Sequence, residues 1–248
     1  MSRAVSQVDV HEFVDSASVD AAVFGLRPDY HAMVLAVAGL EAGPSDEASE
    51  ALLVAAEASA RAALREHPVQ ELPHVAAWRD AYRAFGAKPQ RTRNSLEALV
   101  RRAESGLPRV NRLTDIYNAI SVLHQVPLGG EDLLRYVGAP RLAHATGQEA
   151  FDTASGGEAV IEHPEPGEVV WRDDQGVTCR RWNWRQGRRT QLSDSTTAAF
   201  FVLDALAPLD NAALGAAADD LATHLAELGP GVTIARRQIS GGTPPVSA

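Results

Sequence analysis

The 248-residue sequence predicts one α+β domain over residues 1–239, with helices in the N-terminal half, a mainly antiparallel or mixed sheet, and a disordered tail at 240–248. Three observations carry this reading. Segments of helical period come first, and after residue 127 short apolar runs alternate with Gly, Pro and Asp, the texture of strands and turns. Strand and helix patterns do not alternate as a doubly wound parallel sheet requires. No internal repeat or linker divides the chain, which is long enough to bury a sizeable core.

Taken in order, HAMVLAVA (31–38) is an apolar run of strand length. Asp46 to Glu66 reads as an amphipathic helix with Ala51, Leu52, Ala55, Ala58, Ala62 and Leu64 on its apolar face, closed by Pro68 and Pro73. A second helix spans about Val75 to Phe85, where Trp78, Tyr82 and Phe85 recur at helical spacing and Gly86 ends it. The loop AKPQRTR (87–93) follows, and Asn94 with Glu97 three residues on is a capping-box start for a helix ending near Ser105–Gly106. Another helix begins after Asn111 and reaches His124, before PLGGED (127–132), read as a loop. RLAHA (141–145), EVVWR (168–172) and VTCRRWNW (177–184) read as strands, the last two joined by a DDQG hairpin. AAFFVLDAL (198–206) is a further apolar run, followed by a helix from about Asn211 to Leu228, a GPG break and an edge strand VTIARRQI.

An apolar fraction of 45% is that of a globular chain and excludes collagen-like, disordered and coiled-coil readings. The formal charge of −9 argues against nonspecific binding to nucleic acid, but the charges are unevenly spread. Residues 79–112 hold nine basic and three acidic side chains, and residues 172–190 hold six and two. Those blocks carry +6 and +4, leaving −19 elsewhere, which favours an anionic ligand over helix-surface charge as the reading of the blocks; Arg101 and Arg102 read as helix surface. The single cysteine, Cys179, excludes a disulfide framework, and neither a signal peptide nor an apolar run of membrane-spanning length is present, so a cytoplasmic protein without membrane partners is expected.

No phosphate loop, HExxH or GxSxG occurs, and the eight histidines are scattered, with His67 and His74 read as surface. Neither a catalytic triad nor a metal or other cofactor is expected. Asn111, Asp115 and Asn118 fall at i, i+4 and i+7, one face of a helix. Asn111 is equally placed to be an N-cap and Asp115 a first-turn partner of the helix dipole. Gly129 and Gly130 either admit a ligand close to the backbone or make a turn. In CRRWNWRQG (179–187), Trp182 and Trp184 share one strand face and Asn183 the other, the tryptophans serving either the core or the rim of a ligand site.

LPRVNRLTDIYNAISVLHQVPLGGEDLLRYVG resembles the editing and tRNA-binding domain of the phenylalanyl-tRNA synthetase beta subunit, its B-three/B-four domain. With AWRDAYRAFGAKPQRTRNSLEAL, PGEVVWRDD and CRRWNWR in order, the chain more closely resembles that domain's freestanding relatives. The core of the resemblance covers residues 78–206. It implies that domain's α+β fold and a stand-alone aminoacyl-tRNA deacylase acting in trans, with aminoacylated tRNA and not DNA as partner. A non-catalytic module binding tRNA or an amino acid is the alternative on the same fold. On this resemblance Asn111, Asp115 and Asn118 are the catalytic candidates, with water orientation and α-ammonium binding both open to Asp115. Arg180, Trp182, Asn183, Trp184, Gly129 and Gly130 are expected to contact substrate, and Lys88, Arg91, Arg93 and Arg185 to contact tRNA. The chain departs from the synthetase domain at Gly129, where that domain has His, and at Trp182 to Arg185, where it has Gly-Gly followed by Glu. Specificity for tyrosine on phenylalanine tRNA is therefore not carried over.

Overall fold

The structure, a computed structural model, describes residues 9–241. Its central element is a four-stranded antiparallel sheet ordered β11-β2-β10-β3, made of β2 (His31–Ala38), β3 (Leu128–Asp132), β10 (Ala198–Ala205) and β11 (Thr233–Ser240). The unbroken apolar run of β2 follows from its central place, since both of its faces are covered. Met33, Leu35 and Val37, with Ala199, Phe201 and Leu203 of β10, pack under α6 (Arg112–Leu123) and α7 (Asn211–Ala226). Ala32, Val34, Ala36 and Phe200 point the other way, toward Trp78 of α4 (Pro73–Ala84), Trp171 and Trp182.

A second sheet lies on that side, ordered β1-β4-β7-β8-β9: β1 (Ser18–Val19), β4 (Arg141–His144), β7 (Val169–Arg172), β8 (Val177–Arg180) and β9 (Arg185–Gln186). Only β1–β4 is parallel. A third apolar cluster joins α3 (Glu47–Glu66), α4, α5 (Ser95–Arg102) and α6 through Leu53, Val75, Leu96, Val100, Ala119 and Val122. The helix starts follow their caps: Asp46 accepts from Ser49 N, Asn94 from Glu97 N, Asn111 from Thr114 N and Asp210 from Ala213 N.

Several expectations are corrected. PLGGED is not a loop: the paired glycines are a turn signal, yet both stand in extended backbone, and residues 128–132 pair with β10. Gly130 is small because a Cβ there would lie 2.7 Å from the Phe201 ring. VTCRRWNW is a strand only as far as Arg180; residues 181–184 turn, with Arg181 and Trp182 at φ +48° and +67°. Trp182 and Trp184 therefore do not share a strand face. His74 is buried, not on the surface: its Nδ1 faces Gln125 O at 2.7 Å, and Nε2 accepts from Trp78 Nε1 (3.2 Å) and Leu206 N (3.1 Å). The elements α1 (Val10–Ser16), α2 (Ala21–Leu26) and the hairpin β5 (Phe151–Ser155)–β6 (Glu158–Glu162) are too short to stand out by periodicity. Of the tail expected at 240–248, Ser240 ends β11, and residues 242–248 lie outside those described.

Candidate functional site

Between the β10/β3 face, α5, α6 and the 181–184 turn lies a cavity of about 280 Å³. The turn defines its wall. Two successive non-glycine residues in the left-handed region cost about 1–2 kcal/mol each, and they are held there by fixed partners. Glu168 Oε1 accepts from Arg181 N (3.1 Å), Val169 O accepts from Trp182 N (2.6 Å), and the Trp182 ring is fully buried edge-on against Tyr30 and Trp78 at 4.9 and 5.2 Å. The turn in turn anchors the basic loop 87–93: Arg181 donates to Thr92 Oγ1, and Ser95 N donates to Asn183 O (3.0 Å). The two basic segments of the sequence thus meet beside the cavity.

Asn118, Gly129, Trp182, Asn183, Trp184 and Arg185 all line the cavity. Asn118 is largely buried and lines the space, and its carboxamide has no hydrogen bond among the described residues. Asn183 is fixed: its Oδ1 accepts from Tyr82 OH (2.9 Å) and its Nδ2 donates to Asp204 Oδ2 (3.3 Å). Trp184 is half-buried, with the Arg181 guanidinium 4.6 Å from its ring centre.

Four expected site residues are placed elsewhere. Asn111 caps α6 through Thr114 N (2.9 Å), outside the helix and away from the face that the i, i+4, i+7 spacing implied. Asp115 is buried and accepts from Val110 N (2.8 Å) and Ser45 Oγ, clasping the segment that leads into α6. Arg180 makes a two-pronged bond to Glu168 (2.8 and 2.7 Å) and reaches Glu162 (2.9 Å), so its donors are spent on the sheet. Gly130 packs against Phe201 on the opposite face of β3, although its carbonyl accepts from Gln186 Nε2 (2.9 Å), a cavity residue.

Most of the basic side chains in the two segments are neutralised within the molecule. Arg79 and Arg101 pair with Glu97, Arg109 with Glu50 and Glu57, Arg112 with Asp46, Arg172 with Glu149, Arg188 with Asp152 and Arg189 with Asp173. Lys88, Arg91 and Arg102 have no acidic partner within 4 Å among the described residues; all three are exposed, and Arg102 lines the cavity mouth. Arg93 and Arg185 are only loosely paired, 3.9 Å from Glu97 and Glu162.

Sequence reasoning missed the two carboxyl groups of the cavity, Glu131 and Asp204. Burial pushes both up to about 7, against the hydrogen bonds that favour the charged form. Tyr136 OH donates to Glu131 Oε2, and Tyr30 OH to Asp204 Oδ1 at 2.7 Å. A signal existed for Asp204, a lone carboxylate inside the apolar run AAFFVLDAL. Tyr117 and Gln186, also in the lining, carried none. Cys179 lines the space too, but burial drives its thiol well up, away from the nucleophilic thiolate. Among the described residues no group of three or more His, Cys, Asp or Glu is placed to hold a metal, and no helix is long and apolar enough to cross a membrane.

Residues 77–229, which include the whole cavity lining, match the family of the B3/4 domain. The chain belongs to the B3/4 domain family. The chain is similar in structure to an N-terminal fragment of the phenylalanyl-tRNA synthetase beta subunit from Pyrococcus horikoshii, with 14% identity and a TM-score of 0.45. The similarity covers 94% of this chain and 52% of the fragment, so the chain spans about half of its length. Comparison with curated proteins finds no match.

Proposed function

We propose that this B3/4 domain hydrolyses the ester of a wrongly attached amino acid on tRNA, acting in trans. The observation that carries the reading is the cavity itself: about 280 Å³, with five aromatic residues in its lining and Arg102, which has no acidic partner among the described residues, at its edge. That volume suits an amino acid and is too small for a nucleotide as well. The tRNA end therefore stays outside, at a mouth where Ala98 and Arg102 are the exposed members of the lining. Lys88, Arg91, Arg93, Arg102 and Arg185 supply the phosphate contacts that a domain detached from a synthetase must make for itself.

One methylene in an apolar pocket discriminates by only about 1–3 kcal/mol, which is why a second hydrolytic site is useful to a synthetase. An aminoacyl ester is already activated, and a neighbouring ribose hydroxyl assists its hydrolysis. The site has to hold the ester, orient a water and meet the developing oxyanion with a fixed donor. The unbonded Asn118 carboxamide is the group available for that, supported by the fixed Asn183.

The test is to incubate the protein, at concentrations comparable to substrate, with a panel of mischarged tRNAs and follow release of amino acid. Release that falls at least tenfold in Asn118→Ala supports the reading, and no release from any pair removes it. The placement of Asn111, Asp115 and Arg180 in structural bonds leaves few polar groups for catalysis and favours a second reading, a module that binds tRNA without cleaving it. Salt-sensitive tRNA binding without turnover selects that reading.

A further inference from the structure

Nine carboxylates are buried among the described residues. Five carry an arginine: Glu57 with Arg109, Glu97 with Arg79, Glu149 with Arg172, Glu168 with Arg180 and Asp173 with Arg189. Two more cap backbone, Asp115 accepting from Val110 N and Asp132 from Leu134 N. The remaining two, Glu131 and Asp204, have neither a cation nor a backbone N–H, only neutral side-chain donors, and both line the cavity. A buried carboxylate without a cation is costly in a finished core. Here the compensation is a proton on each carboxyl group, or a cation brought by what fills the cavity.

The strand register spaces the pair. Glu131 stands opposite Phe200 and Gly129 opposite Val202, so Glu131, Gly129, Val202 and Asp204 share one face. Asp204 is four residues beyond Phe200, about 13 Å along the strand at 3.3 Å per residue. The floor therefore has a carboxyl group at each end and an apolar middle, where Gly129 contributes no side chain. Trp171, Trp182, Trp184, Tyr117 and Tyr136 form the walls, and aromatic faces beside carboxylates are the chemistry that holds an organic cation. Asn118, more than nine-tenths buried and without a hydrogen bond among the described residues, independently marks the space as built for a polar ligand.

We infer that the cavity takes a basic amino acid, one whose side chain ends in an ammonium or guanidinium group. Such a molecule carries two positive groups at the ends of an aliphatic stem, which matches a floor acidic at both ends and apolar between them. A neutral amino acid satisfies one carboxylate with its α-ammonium and leaves the other buried without a cation. The inference rests on the reading of the cavity as the acyl site. Because both carboxyl groups are pushed up to about 7, pairing them with cations favours the ionised forms and releases protons near neutral pH.

Titration calorimetry of the full chain with L-lysinamide and L-norleucinamide tests this without tRNA or hydrolysis, the two probes differing in the terminal amine. The expected result is at least tenfold tighter binding of L-lysinamide at pH 6.5, with proton release visible as a buffer-dependent heat. Asp204→Asn and Glu131→Gln should each reduce that preference to threefold or less, and agreement between the two guards against one of them misfolding. Equal or tighter binding of L-norleucinamide, or no binding of either, overturns the inference. Deacylation confined to tRNAs carrying neutral amino acids overturns it too, while leaving the hydrolase reading standing. Selective L-lysinamide binding with no deacylation of any tRNA supports the inference and removes the hydrolase.

Discussion

Asp115 and Asn118 lie one helical turn apart and do opposite things. Asp115 holds Val110 N and Ser45 away from the cavity, whereas Asn118 lines the cavity with its carboxamide unused. Asp115→Ala should therefore destabilise the fold by about 1–3 kcal/mol, the cost of leaving a buried donor unmet, as read from the urea midpoint. Asn118→Ala should leave that midpoint within about 0.5 kcal/mol of the parent and lower deacylation at least tenfold. Arg180→Ala removes the two-pronged partner of buried Glu168, leaving it only Arg181, and should cost up to about 3–5 kcal/mol in the same measurement, a stability effect and not a substrate effect. Spacing and the family resemblance marked all three as site candidates. Only position in the packed structure separates the polar groups whose bonds are already made from the one whose bonds are not.

At the scale of elements, strand β3 and the 181–184 turn exchange the conformations that their compositions suggest. Paired glycines in PLGGED extend because β10 offers a ladder and Phe201 fills the space that a Cβ would need. The β-prone VTCRRWNW breaks after Arg180 because burying Trp182 between Tyr30 and Trp78 outweighs continuing the strand. Gly130→Ala should thus cost about 1–3 kcal/mol through collision with the Phe201 ring. Gly129→Ala meets only the Gln186 amide at 2.9 Å, a movable side-chain end, so it should narrow the cavity and weaken ligand binding with a smaller loss of stability. The long elements β2, α3, α6, β10 and α7 are legible in the sequence as periodic or continuous apolar runs. But α3 buries Leu53, Ala56 and Ala60 and leaves the expected Ala51, Ala55, Ala58 and Ala62 exposed, because alanine spread round a helix does not mark one face. The turn and β3 are not legible, because the Tyr30 and Trp78 contacts that bury Trp182 and the β10 ladder that extends β3 come from more than 60 residues away.

Across the whole molecule the charge separation seen along the chain largely cancels in space. The acidic excess outside the basic segments supplies Asp46, Glu50, Glu57, Glu149, Asp152, Glu162 and Glu168 as partners to their arginines. A tRNA footprint then rests on few cations. Replacing Lys88, Arg91 and Arg102 together by Ala should reduce the slope of log K against log salt by about 2–3, as measured by filter binding of tRNA. Stability against pH follows from groups of opposite sense. Burial lowers His74 to about 4, so its contribution is complete above about pH 6.5 and lost on acidification toward 4, about 3 kcal/mol in all. Protonation there would turn Nε2, which accepts from Trp78 and Leu206, into a third donor. Glu131 and Asp204 are raised, so their contribution is complete below about pH 4 and lost as pH climbs to about 7. Urea midpoints from pH 4 to 8 should therefore rise with pH more steeply in a Glu131→Gln/Asp204→Asn double variant than in the parent.

The sequence by itself determined the α+β class, the long helices and buried strands, and the B3/4 family, since these reside in periodicity and ordered motifs along the chain. Of the site residues expected from it, Asn118, Gly129 and Trp182 to Arg185 line the cavity in the structure. Tertiary structure alone decided which polar groups are free. A hydrogen bond or ion pair is made between residues distant in sequence: Asp115 with Ser45, Arg180 with Glu168, Tyr30 with Asp204. Whether a carboxylate is a strut or a ligand's counter-ion depends on those partners, and no spacing along one chain records them.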